Sequence, residues 1–336
     1  MTKQRRLGFF LSPAKQEENT FERALWADEQ GYDDIWFPDG YGTADAMTLA
    51  SAVAARTTRA RLATGVTPVF TRVPAILATS TLAINSVAPG RFVLGLGSST
   101  HAMVDGWYGE TFAKPLTRMR ETVALVRTML AGAKTDFDGK TIRSHGFRLN
   151  APIEGDIPIF LGAMGPKMLE LVGEVADGVV LNHFTPMERM PFALECLDRG
   201  AKRAGRRVDD IEIAARICVR VTEDDAQALH SFATDFTFYS STEIYRNIVT
   251  LLGYGDAAKE IAEGFKQRDR QRIMAAAPEE LVRQLYVWGD RAHCQARINA
   301  LFDAGVDTVI VAPQTDNHPD WVSTCEAFTP SAFARG

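Results

Sequence analysis

Short apolar runs alternate along the chain with longer segments in which apolar residues recur every three or four positions. Runs of the first kind are typical of strands buried on both faces, and segments of the second kind are typical of amphipathic helices. The pattern predicts eight strands separated by helices. The strand runs are RLGFFL, DDIWFP, RLATGV, RFVLGLG, IPIFLGA, GVVLNH, IEIAARICVRV and VDTVIVAP.

This alternation predicts an α/β fold with a parallel sheet. A doubly wound sheet and a closed (β/α)8 TIM barrel both satisfy the pattern, and eight repeats favour the barrel. Residues 223–290 do not fit one helix, and we interpret them as a helical insertion between the seventh strand and the last helix, serving as a cap or a dimer contact. Residues 1–336 are therefore expected to form a single barrel domain. A hairpin is expected around Asp138 and Gly139.

Composition narrows the range of partners. The chain has 336 residues, 46% of them hydrophobic, and 37 basic against 42 acidic residues give a formal charge of −5. No basic block occurs, so nucleic acid is not an expected partner. The four cysteines are too far apart for paired metal-ligand spacing, and four in so long a chain do not make a disulfide framework, so we expect core thiols.

The amino terminus has too few apolar positions before Ser12 and Pro13 for the apolar region of a signal peptide. No stretch approaches the length of a membrane span. We therefore expect a cytoplasmic protein with no membrane partner.

The segment RFVLGLGSST raises the possibility of a dinucleotide-binding turn, which needs a third glycine and a helix that starts directly after it. The third glycine is replaced by Thr100, and Gly106, Gly109 and Pro115 predict that no helix starts at the turn. The segment alone therefore does not favour a Rossmann site.

In a (β/α)8 barrel, chemistry lies at the carboxyl ends of the strands. Glycine and hydroxyl residues dominate the expected strand ends, which suits a phosphate or a flat ring held against the main chain. Gly165 and Pro166 at a helix start give either an anion site or a plain helix cap. The strand-end residues are Ser12, Asp39, Gly65, Val66, Thr67, Gly97, Ser98, Ser99, His101, Ala163, Met164, Gly165, Asn182 and His183.

Three strand-end residues are candidates for proton chemistry. Asp39 is either a turn former between Pro38 and Gly40 or a functional acid at the barrel mouth. His101 and His183 are each either a proton donor or substrate contact, or a side chain satisfied by its surroundings. No metal-ligand constellation and no Gly-x-Ser-x-Gly elbow is found.

Taken together, the strand-end motifs resemble the luciferase-like monooxygenase superfamily, and within it the branch dependent on the deazaflavin coenzyme F420. The resemblance covers nearly the whole chain. It rests on the order and spacing of GYDDIWFPD, LATGVTPVFTRVPAILA, APGRFVLGLGSS, GWYGETFAKPLTRMRETVALVRTML, IPIFLGAMGPKMLELVGEVADGVVLN and AGVDTVIV.

The resemblance implies roles for the strand-end residues. It implies that a non-prolyl cis peptide at Gly65 and Val66 presses on the cofactor ring, and that Asp39 contacts the ring near its reactive region. It places Gly97, Ser98 and Ser99 near the phosphate end. Ala163, Met164 and Gly165 match the family's second cofactor loop.

One position departs from the family pattern. Members that oxidise sugar phosphates or secondary alcohols carry a histidine directly after the position of Asp39, where this chain has Gly40. Glycine cannot take a proton, so His101 or His183 substitutes for that histidine, or the reaction differs.

The resemblance supports three functional hypotheses. The first is an F420-dependent oxidoreductase that passes a hydride between the deazaflavin and a small organic substrate at the barrel mouth. The second is an FMN-dependent monooxygenase that uses reduced flavin and oxygen, and the third is a flavin-binding protein without catalysis. A homodimer, the common state in the family, is the expected assembly.

Overall fold

The computed structural model describes residues 5–11, 20–39, 42, 44–151, 153, 155–315 and 318–333, so Ser12 and Gly40 lie outside the described residues. The strands of the described part are β1 (Arg6–Phe10), β2 (Asp34–Phe37), β3 (Arg61–Thr64), β4 (Thr67–Pro68), β5 (Phe92–Gly97), β6 (Asp136–Asp138), β7 (Arg143–His145), β8 (Ile159–Ala163), β9 (Gly178–Leu181), β10 (Glu212–Val221), β11 (Val287–Gly289) and β12 (Thr308–Pro313). The α-helices are α1 (Thr20–Glu29), α2 (Ala46–Ala54), α3 (Pro74–Val87), α4 (Pro115–Leu130), α5 (Pro166–Val175), α6 (Met190–Arg203), α7 (Asp225–Tyr239), α8 (Glu243–Leu251), α9 (Gly255–Gln267), α10 (Arg270–Ala275), α11 (Glu279–Leu285), α12 (Arg291–Asp303) and α13 (His318–Ala327).

Eight parallel strands close a barrel in the order β1, β2, β3, β5, β8, β9, β10 and β12, with β12 pairing back onto β1. These are the eight strands that the apolar runs predict, so the (β/α)8 prediction is confirmed. The short strands β4 and β11 add to β5 and β10. The expected hairpin is formed by β6 and β7, which turn between Gly139 and Ile142.

The barrel strands are mainly apolar because both of their faces are buried. In β10, Ala214 and Cys218 belong to the cluster inside the barrel, whereas Ala215, Ile217 and Val219 pack outwards against the helices. This alternation follows from the two-residue period of a strand. Position 216 therefore faces the barrel interior.

The amino-terminal end of the barrel is closed by an ion-pair network. Asp34, which has no exposed surface, accepts hydrogen bonds from Arg6 and Arg61. Arg61 also donates two bonds to Glu212 across the barrel, at 2.6 and 2.8 Å. Because this end is filled by paired charges, the barrel opens only at the carboxyl ends of its strands within the part of the chain that is described.

Five helices, α7 to α11, follow β10 and lead to β11. They form a second apolar cluster that continues into the barrel interior. Among the helices that the structure describes, none combines the length and the apolar character needed to cross a bilayer.

Candidate active site at the barrel mouth

A cavity of about 1350 Å³ opens at the carboxyl ends of the barrel strands. Small-molecule sites usually measure roughly 300 to 1,000 Å³, so this cavity has room for two ligands side by side. Asn182 lines it, together with nine other strand-end residues singled out from the sequence. They are Asp39, Gly65, Val66, Gly97, Ser98, Ser99, Ala163, Met164 and Gly165. We call these residues the glycine-rich half of the mouth.

A bulge after β3 forms the floor of the glycine-rich half. The peptide bond between Gly65 and Val66 is cis, as the resemblance implies. The Val66 side chain projects between two glycines: a Cβ on Gly97 would lie 2.3 Å from Val66 Cγ2, and a Cβ on Gly162 would lie 3.2 Å from it. The glycines at these two positions therefore make room for Val66, and Val66 lines the cavity.

The loops after β5 and β8 offer groups that suit an anion. Ser99 adopts a φ of 60°, which turns the loop sharply after the hydroxyl of Ser98. Helix α5 begins at Gly165 with no side-chain cap, and Lys167 lies exposed in its first turn on the cavity wall. An uncapped helix N-terminus beside a lysine favours a phosphate or a carboxylate.

Asp39 lies on the wall of the glycine-rich half, where its side chain is 11% exposed. Its Oδ2 atom is 3.5 Å from Nε of Arg72, which also pairs with Asp45. Neither Asp39 Oδ2 nor Arg72 Nε has a hydrogen-bond partner in the described part of the chain, and both are buried. Asp39 Oδ2 is therefore turned toward Arg72, and the cavity meets other atoms of the Asp39 side chain.

Neither His101 nor His183 lies on the cavity wall with Asp39. His101 is exposed, stands at the start of a π-helical segment over Ala102–Trp107, and lies edge-on to Phe112. The expectation that no helix follows the glycine loop is thus wrong, because the flexible glycine at position 106 is accommodated in a wide, single-turn helix. His183 is 1% exposed and lies behind the cavity wall.

His183 belongs to a chain of hydrogen bonds that crosses the wall. Arg216 Nη2 donates to His183 Nδ1, because a guanidinium is only a donor. The imidazole proton is then on Nε2, which donates to the Tyr286 hydroxyl at 3.1 Å, and that hydroxyl donates to Asp235 Oδ2 at 2.8 Å. The two ends of this chain, Arg216 and Asp235, both line the cavity.

Burial fixes the protonation states along this chain. Desolvation, and next the charge of Arg216, hold the pKa of His183 well below its ordinary value of 6.5. Desolvation, and next the neighbouring Asp235, raise the pKa of Tyr286 well above 10.0. His183 is therefore neutral and Tyr286 keeps its proton. Each hydrogen bond of this series is donated in the direction from Arg216 to Asp235.

Ligand atoms of His183, Cys218 and Asp235 lie within 4.8 Å of one another, a spacing that would suit a metal ion. Both nitrogens of His183 are engaged in hydrogen bonds, and burial raises the pKa of the Cys218 thiol to about 12 despite the opposing charge of Arg216. The guanidinium in contact with His183 would also repel a cation. We therefore assign a hydrogen-bond network here.

Arg216 is not among the residues singled out from the sequence, although the pattern of its strand contains a signal for it. In IEIAARICVRV the two-residue period places Ala214, position 216 and Cys218 on one face, so a cation stands on an otherwise apolar inward face. The guanidinium is held over the ring of Phe10, at 4.9 Å, and beside Tyr239, whose hydroxyl accepts from Nη2 at 3.2 Å.

Arg216 lies across the barrel from the bulge at Gly65 and Val66. In the closed order of eight strands, four steps separate β3 from β10 in either direction. Beyond Arg216 the wall continues with residues of α7 and α8. We call this wall the Arg216 half; its members are Arg216, Asp235, Phe238, Tyr239, Ile244, Tyr245 and Leu251.

The fold and the mouth define a class: a (β/α)8 barrel enzyme with a large cavity at the carboxyl ends of its strands, whose two halves differ in chemistry. The comparison with known families agrees with this class. The chain belongs to the luciferase-like monooxygenase family, whose model matches residues 7–308.

Named relatives are similar over most of their length. The chain is 34% identical to 5,10-methylenetetrahydromethanopterin reductase of Methanolobus tindarius, over 85% of this chain and 87% of the relative. It is 29% identical to an F420-dependent glucose-6-phosphate dehydrogenase of Nocardia farcinica, over 78% of this chain and 82% of the relative. The solved coenzyme F420-dependent tetrahydromethanopterin reductase of Methanopyrus kandleri superposes with a TM-score of 0.80 at 25% identity, covering 98% of this chain and all of that one.

Proposed function

We propose that this protein is an F420-dependent oxidoreductase that transfers a hydride between the deazaflavin and a small organic substrate. The observation that carries the proposal is the glycine-rich half of the mouth, in which the bulge at Gly65 and Val66, the loop at Gly97–Ser99 and the N-terminus of α5 face one cavity. The relatives named for F420 support the same cofactor.

The residues present fit F420. The side chain of Val66 and the adjacent glycines give a flat, close floor for a tricyclic ring. Ser98, Ser99 and the uncapped start of α5 suit the phosphate, and Lys167 beyond them suits the carboxylates of the tail. The carboxylate of Asp39, on the cavity wall, is an acceptor for a ring N–H or for a substrate hydroxyl.

When bound, F420 supplies the hydride chemistry at its C5 position, and the protein supplies binding, orientation and proton management. Val66 fixes how close a ring approaches the floor. Asp39, kept in place by the contact of its Oδ2 atom with Arg72, holds or accepts at its carboxylate the proton that accompanies hydride transfer. Of the three proton-chemistry candidates, Asp39 is the one on the wall; His183 positions Arg216, and His101 receives no role in this proposal.

The test is equilibrium binding of F420 and of FMN, each oxidised and reduced, followed by ultraviolet-visible titration. We expect micromolar binding of F420 and at least tenfold weaker binding of FMN. Tight binding of reduced FMN alone would overturn the proposal in favour of oxygen-dependent monooxygenation.

A pair of lysine variants sharpens this test. We expect Lys167→Met to weaken F420 binding several-fold in low salt, with a smaller effect in high salt because salt screens the charge. The matched control is Lys202→Met on α6, since Lys202 is 72% exposed and pairs only with the surface carboxylate Asp198 among the described groups. Equal affinities of the two variants would remove Lys167 from the cofactor site.

We also propose a homodimer. Val73, Ile76 and Val87, at the start and along α3, are 55%, 49% and 48% exposed. At 3.6 residues per turn, Ile76 and Val87 point within about 20° of each other, so they form one apolar stripe. We expect Ile76→Glu to shift the sedimentation velocity from dimer to monomer; an unchanged dimer would place the contact elsewhere.

A further inference from the structure

The charge of Arg216 has no direct counterion in the described part of the chain. Within that part, Nη2 donates to two neutral groups, the imidazole of His183 and the hydroxyl of Tyr239, and Nε has no hydrogen-bond partner. A guanidinium keeps its charge at any physiological pH. Because buried charges are costly unless they are paired, an unpaired cation on a cavity wall indicates an anionic ligand.

Asp235 does not fill that place. It is joined to Arg216 indirectly, through His183 and Tyr286, and its Oδ2 lies 3.6 Å from His183 Nε2. This series of hydrogen bonds offsets part of the Arg216 charge at a distance. Above all, it fixes the orientation of the guanidinium. Together with the clamp between Phe10 and Tyr239, it holds Arg216 in one place before a ligand arrives.

The rim beside Arg216 is apolar. Phe238, Ile244 and Leu251 line the same cavity and are 55%, 40% and 54% exposed, which is unusual for large apolar side chains. Phe238 contacts the ring of Tyr239, and Tyr239 in turn contacts Tyr245, so the apolar rim is continuous with the wall around Arg216. A ligand that reaches Arg216 from solvent passes these side chains.

We propose that Arg216 binds an anionic oxygen group of the organic substrate, a carboxylate in the simplest case, while Phe238, Ile244 and Leu251 take its hydrocarbon body. The inference rests on the proposed function, because it assigns the substrate to the half of the mouth opposite the F420 site. It defines the substrate class as amphipathic organic acids and assigns Arg216 as the residue that selects them.

The experiment compares two probes of the same shape on the F420-saturated protein, 4-phenylbutyrate and its uncharged amide, 4-phenylbutyramide, by isothermal titration calorimetry. We expect the acid to bind at least tenfold more tightly, since a hydrogen bond to a charged group contributes roughly 1.5 to 3 kcal/mol. Equal affinities for acid and amide in the unmodified protein would overturn the proposal without any variant.

Substitutions assign the preference to one residue. We expect Arg216→Met to abolish the preference for the acid while amide binding stays within about twofold, and Arg216→Lys to keep part of it because the charge remains. Lys167→Met is the matched control, a second cation of the same mouth on the other half, and it should leave the acid preference unchanged at saturating F420.

Titration with F420 separates the possible sources of the anion. Unchanged F420 affinity in Arg216→Met, with the acid preference lost, supports a substrate anion. A large loss of F420 affinity with the acid preference retained would mean that Arg216 binds an anionic group of the cofactor, and the inference would fail. Absence of F420 binding by the unmodified protein would instead contradict the proposed function.

Discussion

The two halves of the barrel mouth are built by different means. The glycine-rich half depends on the absence of side chains, since Gly97 and Gly162 leave room for Val66, and its polar groups are hydroxyls, the uncapped start of α5 and the carboxylate of Asp39. The Arg216 half is shaped by large side chains whose positions are fixed by hydrogen bonds to one another. Under the proposed function, the first arrangement binds the phosphate and ring of the cofactor, whereas the second binds the substrate.

We expect the two halves to differ in how well they tolerate amino-acid substitutions. A side chain added at Gly97 or Gly162 meets Val66 and disturbs the floor itself. A change in the Arg216 half removes a bond or a charge but leaves the barrel in place. Substitutions in the glycine-rich half should therefore have greater effects than substitutions in the Arg216 half.

Gly97→Ala should produce the largest effect. The new Cβ would lie 2.3 Å from Cγ2 of Val66, and a valine side chain is stiff, so the bulge has to move. Overpacking of this kind costs about 1 to 3 kcal/mol. We expect a corresponding loss in urea unfolding and at least a tenfold loss of F420 affinity, measured by titration.

The matched control for this variant is Gly106→Ala. A Cβ at Gly106 meets nothing within 4 Å, and the residue lies in the π-helical segment on the same side of the mouth. Its stability and F420 affinity should stay near those of the unmodified protein. Equal behaviour of the two variants would show that Val66 does not depend on the glycine at position 97.

The barrel could be predicted from the sequence because its strands are buried on both faces. Each strand appears as an apolar run, and the closing pairs, such as β12 with β1, follow from eight repeats. The π-helical segment could not be predicted, because Gly106 and Gly109 weaken every helical pattern there. The ion pairs that close the far end join residues as distant as Arg61 and Glu212, which no local pattern relates.

The two halves of the mouth also differ in how far they could be predicted. Glycine loops at strand ends are local signals, so Gly65, Gly97 and Gly165 were recognised along the chain and do line the cavity. Asp235, Tyr239 and Tyr286 belong to the insertion, and their approach to Arg216 depends on how α7 folds back over the barrel. His183 was recognised, but its burial behind Arg216 is a tertiary property.

The second prediction concerns the pH dependence of the Arg216 half. Because the pKa of His183 is well below 6.5 in the folded protein, the unfolded chain takes up this proton first as pH falls below about 6.5. Stability should then fall by up to about 1.4 kcal/mol per pH unit until the folded pKa is reached, and should be regained above that window. Urea unfolding at pH 7.5 and pH 5.5 measures the loss.

His183→Gln isolates this contribution from the carboxylates that titrate in the same range. Its side-chain amide keeps a donor toward Tyr286 but has no proton to gain, and Arg216, Tyr239, Cys218 and Asp235 remain around it. We expect the variant to lose less stability than the unmodified protein between the two pH values. An identical loss in both would assign the pH dependence to other groups.

The smallest effect is expected from Tyr239→Phe. The substitution removes the hydroxyl that accepts from Arg216 Nη2 at 3.2 Å but keeps the ring beside the guanidinium, the bond to His183 and the charge. A single hydrogen bond contributes about 0.5 to 1.5 kcal/mol, so the affinity for 4-phenylbutyrate should fall roughly two- to tenfold by calorimetry, while the affinity for F420 stays the same. A loss as large as that of Arg216→Met would mean that orientation by Tyr239, rather than the charge itself, governs recognition in this half. A loss of F420 affinity would mean that the two halves are not separate sites.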